Sequence, residues 1–251
     1  MSDSKKQFAR VAENYLTSKA HDTPNLLLSY VEKVRLSGGT ILDVATGAGH
    51  TAFAFAPFVE TVVATDITDE MLRIVAREAP LRGHDNIKTA YADATDLPFD
   101  DSSFEGVTCR VAAHHFPDVP AFLREVFRVL ASPGWFLLVD TVTSDDPEAG
   151  SAVNEIEALR DPSHVHSCTP AEWEEMISLS GLELEWREVR ENRMPIEPWF
   201  ARMKTPTEVV DRVRPMILES TGATRDYFQP VVKDGEWTFR LLQVAIVARK
   251  S

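Results

Sequence analysis

The stretch Asp43-Val-Ala-Thr-Gly-Ala-Gly-His50 sets an acidic side chain just ahead of two glycines spaced G-x-G. Glycines so placed, between an apolar run and a helix-forming one, let the backbone approach a ligand, because no side chain holds it off. Gly47 to Ala52 also fits G-x-G-x-x-A, the pattern of nucleotide-binding turns, and Asp66 closes the next apolar run, where a carboxylate can take ribose hydroxyls. "CRVAAHHF" places His114 and His115 after a later apolar run, and imidazole is the side chain suited to take up a proton near neutral pH. "RDPSHVHS" gathers Arg160, Asp161, His164 and His166. His164 and His166 with Asp161 are too few ligands for a metal pair, so no metal is expected. Trp199-Phe200, just after Pro198, is the aromatic pair read as a wall for a substrate.

These residues need elements to hold them. "KKQFARVAENYLTS" spaces Phe8, Val11, Tyr15 and Leu16 as a helix does, and a second helix runs from Pro24 towards Gly38-Gly39. From Thr40 short apolar strands alternate with amphipathic helices: "TILDVA", "TVVATDI", "IKTAYA", "FEGVTCRVA" and "GWFLLVDTV" are the strands. That rhythm predicts an α/β fold, a doubly wound and mostly parallel sheet. After Thr143 it breaks into helices, an alternating strand "LELEWREVREN", a Pro-punctuated helical stretch and a closing strand "EWTFRLLQVAIVARK". The expected organisation is N-terminal helices over 1–38, a core over 39–143, a helical lid over 144–235 with a sixth strand near 182–192, and a final core strand over 236–251.

With 251 residues, the chain is long enough for one large core with a small addition. No apolar run spans a membrane and the N-terminus has no signal-peptide core, so a cytoplasmic protein without membrane contact is expected. A formal charge of −13 opposes binding to phosphate backbones, which leaves nucleic acid disfavoured and a small molecule favoured. Cys109 and Cys168 are read as free thiols. Whether the chain is a monomer or a homodimer is left open.

The run Asp43-x-Ala45-x-Gly47-x-Gly49, the turn "YADATDLPFDDSSF" and the segment "FLREVFRVLASPGWFLLVD" together resemble the class I methyltransferases that use S-adenosylmethionine, of the UbiE-like type. "FARVAENYLTSKAH" and "LRDPSHVHSCTPAEWEEMISLSGLELE" are similar to the YcgJ-type subgroup. The resemblance implies a Rossmann-like seven-stranded sheet with a late antiparallel strand, S-adenosylmethionine as cofactor and S-adenosylhomocysteine as product. It implies a cofactor site of Asp43, Ala45, Gly47, Gly49, Asp66, Ile67, Met71, Asp93, Ala94, Arg110 and Ala112. Asp43 would face the amino group of the methionine part, and Asp93 and Ala94 the adenine. Tyr15 and His21 would close over the cofactor.

Ligands lie beyond the carboxyl ends of such strands, so His114 or His115 is expected to face a small, apolar-bodied acceptor and serve as base, with Trp199 and Phe200 as its wall; the resemblance implies that Arg160 or His164 contacts that acceptor. Two departures stand out. Ala45 replaces the first glycine, and is expected to keep strand-like angles; "SPGW" replaces "KPGG". Two alternatives remain: an NAD(P)-dependent oxidoreductase, from the G-x-G-x-x-A match, and a non-methylating protein that keeps the pocket.

Overall fold

The structure is a computed structural model that describes residues 3–16, 23–36 and 38–251. One sheet organises it. β1 (Thr40–Val44), β2 (Thr61–Asp66), β3 (Ile87–Tyr91), β4 (Phe104–Arg110) and β5 (Leu130–Val142) run parallel. β6 (Glu183–Pro195) and β8 (Glu236–Lys250) complete the order β3-β2-β1-β4-β5-β8-β6, with β8 antiparallel to both neighbours. This is the expected sheet. An eighth strand, β7 (Val231–Lys233), forms a short hairpin with the start of β8.

Alternate residues of each strand serve opposite layers. Leu42, Val107, Phe136 and Leu138 pack on one face with Phe122, Leu123 and Val126 of α5 (Val119–Val129) and with Trp173 and Ile177 of α7 (Pro170–Leu179). Ile41, Val62, Leu137 and Val139 pack on the other with α2 (Pro24–Val34), α3 (His50–Phe55) and α4 (Asp69–Leu81). The change from "KPGG" to "SPGW" falls in this second layer. The Trp135 ring stacks on Phe55 and occupies the space over Gly106, where an added Cβ would stand 2.1 Å from it.

α1 (Asp3–Leu16) lies on α4, with Ala12 packed against Met71 and Ile74. A separate core joins α6 (Pro147–Arg160), α8 (Ile196–Arg202), α9 (Thr207–Leu218) and α10 (Gly222–Phe228) over the upper parts of β6 and β8, through Val153, Ile156, Trp199, Phe200, Phe239 and Leu241. Tyr227 ties this layer to the sheet: its hydroxyl donates to the Val142 carbonyl at 2.7 Å. No helix among the described residues is long and apolar enough to cross a membrane. Cys109 and Cys168 are buried free thiols.

Candidate active site

Strand order reverses between β1 and β4, and a sheet of this kind opens its crevice there, beyond the carboxyl ends of the strands. A cavity of about 1160 Å³, counted with its mouth, lies at this place. Its walls are the ends of the first four strands. Asp43, Ala45 and Gly47 line it after β1, Asp66, Ile67 and Met71 after β2, Asp93 and Ala94 after β3, and Arg110 and Ala112 after β4. Ten of the residues read from the sequence are therefore brought together.

Two others differ. Gly49 does not line the cavity: it starts α3 at φ 87°, and a Cβ there would stand 2.8 Å from the Phe53 ring and 2.9 Å from Val75. It is a packing glycine. The Tyr15 side chain and His21 lie outside the described residues. Phe8 of α1 lines the cavity, its ring edge-on to His115 at 4.9 Å.

Asp43 is buried at 1% exposure, and both its oxygens accept short hydrogen bonds, from Thr108 Oγ1 and Thr46 Oγ1, each at 2.6 Å. Burial outweighs these hydroxyls and raises the carboxyl pKa to about 6. Asp66 spans the turn: Oδ2 accepts the Gly47 N–H at 3.0 Å and Oδ1 the Thr68 N–H at 2.8 Å. It thus holds the glycine turn in place while facing the cavity. Burial raises its pKa against these bonds. Asp93 Oδ1 accepts from both Thr95 N and Thr95 Oγ1.

Ala45 is not strand-like, as the sequence reading had it. Its φ is 53°, in the left-handed region where glycine is at ease and alanine is strained by ~1 kcal/mol. The chain has to turn out of β1 at this residue, and the glycine commonly found there is what that turn favours.

A second, smaller cavity of about 650 Å³ shares Val111 and His115 with the first. Its walls come from four places: His114 and Thr141 at the sheet ends, Glu157, Arg160, Asp161, His164 and Ser167 from α6 and the segment after it, Asn192 and Met194 from β6, and Leu241 and Gln243 from β8. Trp199 and Arg202 close it, whereas Phe200 lines neither cavity and packs in the lid core at 3% exposure. The expected aromatic wall is therefore half realised. Arg160 is buried, donating to Glu157 at 2.9 Å and to the Trp199 carbonyl at 3.2 Å.

The histidines are fixed by their partners. His114 Nδ1 lies 2.6 Å from Asp140 Oδ1, and the His114 backbone N–H donates to Asp140 Oδ2 at 3.0 Å. A carboxylate only accepts, so Nδ1 carries the proton and Nε2 keeps its lone pair. His115 Nδ1 donates to the Ser163 carbonyl at 3.0 Å by the same reasoning. The two rings stand 4.1 Å apart. Burial pulls His114 down, but Asp140 outweighs it and the imidazole sits above its usual 6.5. His115, buried beside it, sits well below. His164, bonded through Nε2 to Asn154 at 3.0 Å, is pushed down to about 2 by burial and the neighbouring imidazoles.

Val111 separates the cavities with φ 54°, its N–H donating to the Val139 carbonyl at 2.7 Å. A β-branched residue in that region is a genuine outlier, costing about 1–3 kcal/mol, and such strain gathers at functional sites. Sequence reasoning missed Val111, as it missed Thr46, His50, Thr51 and Phe116 of the first cavity.

Comparison with known proteins bears on the family and the fold. Residues 42–138 match a family profile described as a methyltransferase domain. The uncharacterized methyltransferase YcgJ of Bacillus subtilis is 38% identical over 190 residues, which cover 75% of this chain and 74% of YcgJ. The crystal structure of YcgJ superposes with a TM-score of 0.85 at 33% identity, covering 90% of this chain and 98% of YcgJ. The demethylmenaquinone methyltransferase of Clavibacter sepedonicus is 36% identical over 141 residues, 52% of this chain and 57% of that protein.

Fold and relatives define a class I methyltransferase. The chain belongs to the methyltransferase family of YcgJ. The oxidoreductase alternative falls with that membership.

Proposed function

We propose that the first cavity holds S-adenosylmethionine and that the protein transfers its methyl group to a small polar acceptor in the second, with His114 as general base. The residues present suit the cofactor. Asp43 offers a buried carboxylate for the ammonium of the methionine part, Asp66 and Asp93 carry acceptors for ribose and adenine, and Gly47 leaves its backbone open, with nothing within 4 Å of an added Cβ. When bound, the cofactor supplies a methyl group already activated on a sulfonium, so the protein needs mainly to align a nucleophile and exclude water.

The observation that carries this reading is the wall of Val111 and His115 shared by the two cavities. A nucleophile in the second cavity has its shortest route to the first past these two residues. His114 lines that second cavity with Nδ1 held by Asp140, which leaves Nε2 to accept a proton, and Asp140 fixes the tautomer and supports the charge that follows proton uptake. His115, kept neutral by burial, leaves His114 to carry the one proton that the pair readily takes. The wall carries Arg160, Asp161, Glu157, Asn192 and Gln243, a lining for a hydrogen-bonding molecule rather than an isoprenoid tail. This lining favours a polar acceptor over the apolar-bodied one expected from sequence.

Isothermal titration with S-adenosylmethionine, S-adenosylhomocysteine and NADH tests the cofactor assignment. Binding of both sulfur nucleotides and not of NADH is the expected result, and NADH binding alone overturns it. Release of S-adenosylhomocysteine is then followed over a panel of hydroxylated and carboxylated small molecules. With an acceptor that turns over, His114→Ala should lose roughly 10²–10⁴-fold in kcat. A variant as fast as the parent removes His114 from the chemistry.

A further inference from the structure

The segment between α6 and α7, with the first turn of α7, holds a group of side chains that methyl transfer does not use. His166, Cys168 and Glu172 bring one donor atom each within 4.8 Å of one another. Among the described residues, this is the group of three such donors that meets this spacing. We propose that His166, Cys168 and Glu172 form a site for a borderline-soft divalent cation, zinc in particular. The donor set is a thiolate, an imidazole and a carboxylate, which together suit zinc and leave a fourth position to water. The thiolate and the carboxylate offset the two charges of the ion, and the thiol proton leaves to solvent as the sulfur–metal bond forms.

The backbone here is already held in place, so little ordering remains for an ion to impose. Val165 N and His166 N both donate to the His114 carbonyl, Ser167 N donates to Asn154 Oδ1 at 2.7 Å, and the Cys168 carbonyl accepts from Thr143 N at 3.1 Å. Glu172 belongs to a capping box at the start of α7, where its Oε2 accepts the Thr169 N–H at 2.7 Å. The other oxygen, Oε1, is the one assigned to the ion. Cys168 is buried and His166 and Glu172 are exposed, which places the sulfur at the floor of the site and its mouth in water. His164 and Ser167 of the same segment line the second cavity, so an ion here would stiffen one wall of it. Cysteine spacing alone gave no such signal, because the sulfur is joined by two donors of other types.

The test uses tag-free protein freed of metal with a chelator. One equivalent of cobalt(II) should produce a thiolate-to-cobalt charge-transfer band, zinc should displace it, and zinc at a hundredfold excess over its Kd should raise Tm by several degrees. Cys168→Ser should abolish the band. His166→Ala, at an exposed position that lines neither cavity, should fold normally, bind S-adenosylhomocysteine as the parent does and lose at least about tenfold in metal affinity. Saturating cobalt without a charge-transfer band, or unchanged metal binding in His166→Ala, overturns the proposal without touching the methyltransferase reading.

Discussion

Asp43→Asn separates what a carboxylate does for the fold from what it does for the ligand. In the free protein Asp43 is a buried acid whose pKa rises from 3.8 to about 6. At 1.36 kcal/mol per decade, its ionised form costs the fold ~3 kcal/mol. The sign follows: the folded pKa lies above the unfolded one, so the full benefit is present below about pH 4 and is lost as pH rises to about 6. Asparagine carries no charge and keeps one oxygen for the hydroxyl of Thr108 or of Thr46, while the other hydroxyl must turn away. At pH 7 the variant should therefore be as stable as the parent or up to ~2 kcal/mol more stable, after about 1 kcal/mol for the lost bond. Its affinity for S-adenosylhomocysteine should fall, because a charge-assisted bond to the ammonium, about 1.5–3 kcal/mol, is gone. That is roughly a ten- to hundredfold rise in Kd. Denaturant unfolding and calorimetric titration at pH 7 measure both quantities. Parental affinity, or a loss of stability beyond 2 kcal/mol, would refute the reasoning.

Other expectations follow from the same geometry. Lowering pH from 7 to 5 should weaken S-adenosylhomocysteine binding in the parent by about tenfold, as Asp43 takes up its proton near 6, and should leave Asp43→Asn much less affected; calorimetry at both values decides. Asp66→Ala should lower both cofactor affinity and stability, the latter by about 1–3 kcal/mol, since the Gly47 and Thr68 N–H groups lose their acceptor; urea unfolding with and without S-adenosylhomocysteine separates the two. Gly106→Ala should destabilise by more than ~3 kcal/mol, read as a fall in Tm, because its Cβ would overlap the Trp135 ring. With a productive acceptor, kcat should rise as pH increases through the elevated pKa of His114, and Asp140→Asn should move that limb to lower pH; an unmoved limb assigns the titration to another group.

The first cavity was legible because it is local. Each strand end contributes residues next to one another in the chain, as Asp43 to Gly47, Asp66-Ile67 and Asp93-Ala94 do, and the parallel sheet brings the ends together. Ala45 was misjudged because a strand boundary decides its φ, and spacing cannot place that boundary to one residue. The second cavity was only partly legible: Arg160, His164 and Trp199 were named, but Asn192 and Gln243 sit on strands whose outward residues read as ordinary alternation. Their neighbourhood depends on pairing between β6 and β8 across about fifty residues, where Asn192 faces Leu241. The β7–β8 hairpin did leave a signal. Asp234-Gly235, with φ 53° and 81°, is the Asp-Gly turn that joins two short strands, and "VVKDGEWTF" carried it unread.

Val111 belongs to β4's end and is anchored to β5, whereas most of the chamber on its far side belongs to segments that follow Thr143. Rim and chamber are thus built by different stretches of polypeptide. If the first cavity holds the methyl donor as proposed, substitutions after Thr143 would reshape the second cavity while Val111 keeps its position between the two. On the proposed reading, a lineage would exchange one acceptor for another by drift in its C-terminal half, with the Val111 boundary inherited from the N-terminal half. Grafting the segment 144–235 of a relative onto this core would be a direct way to exchange acceptors.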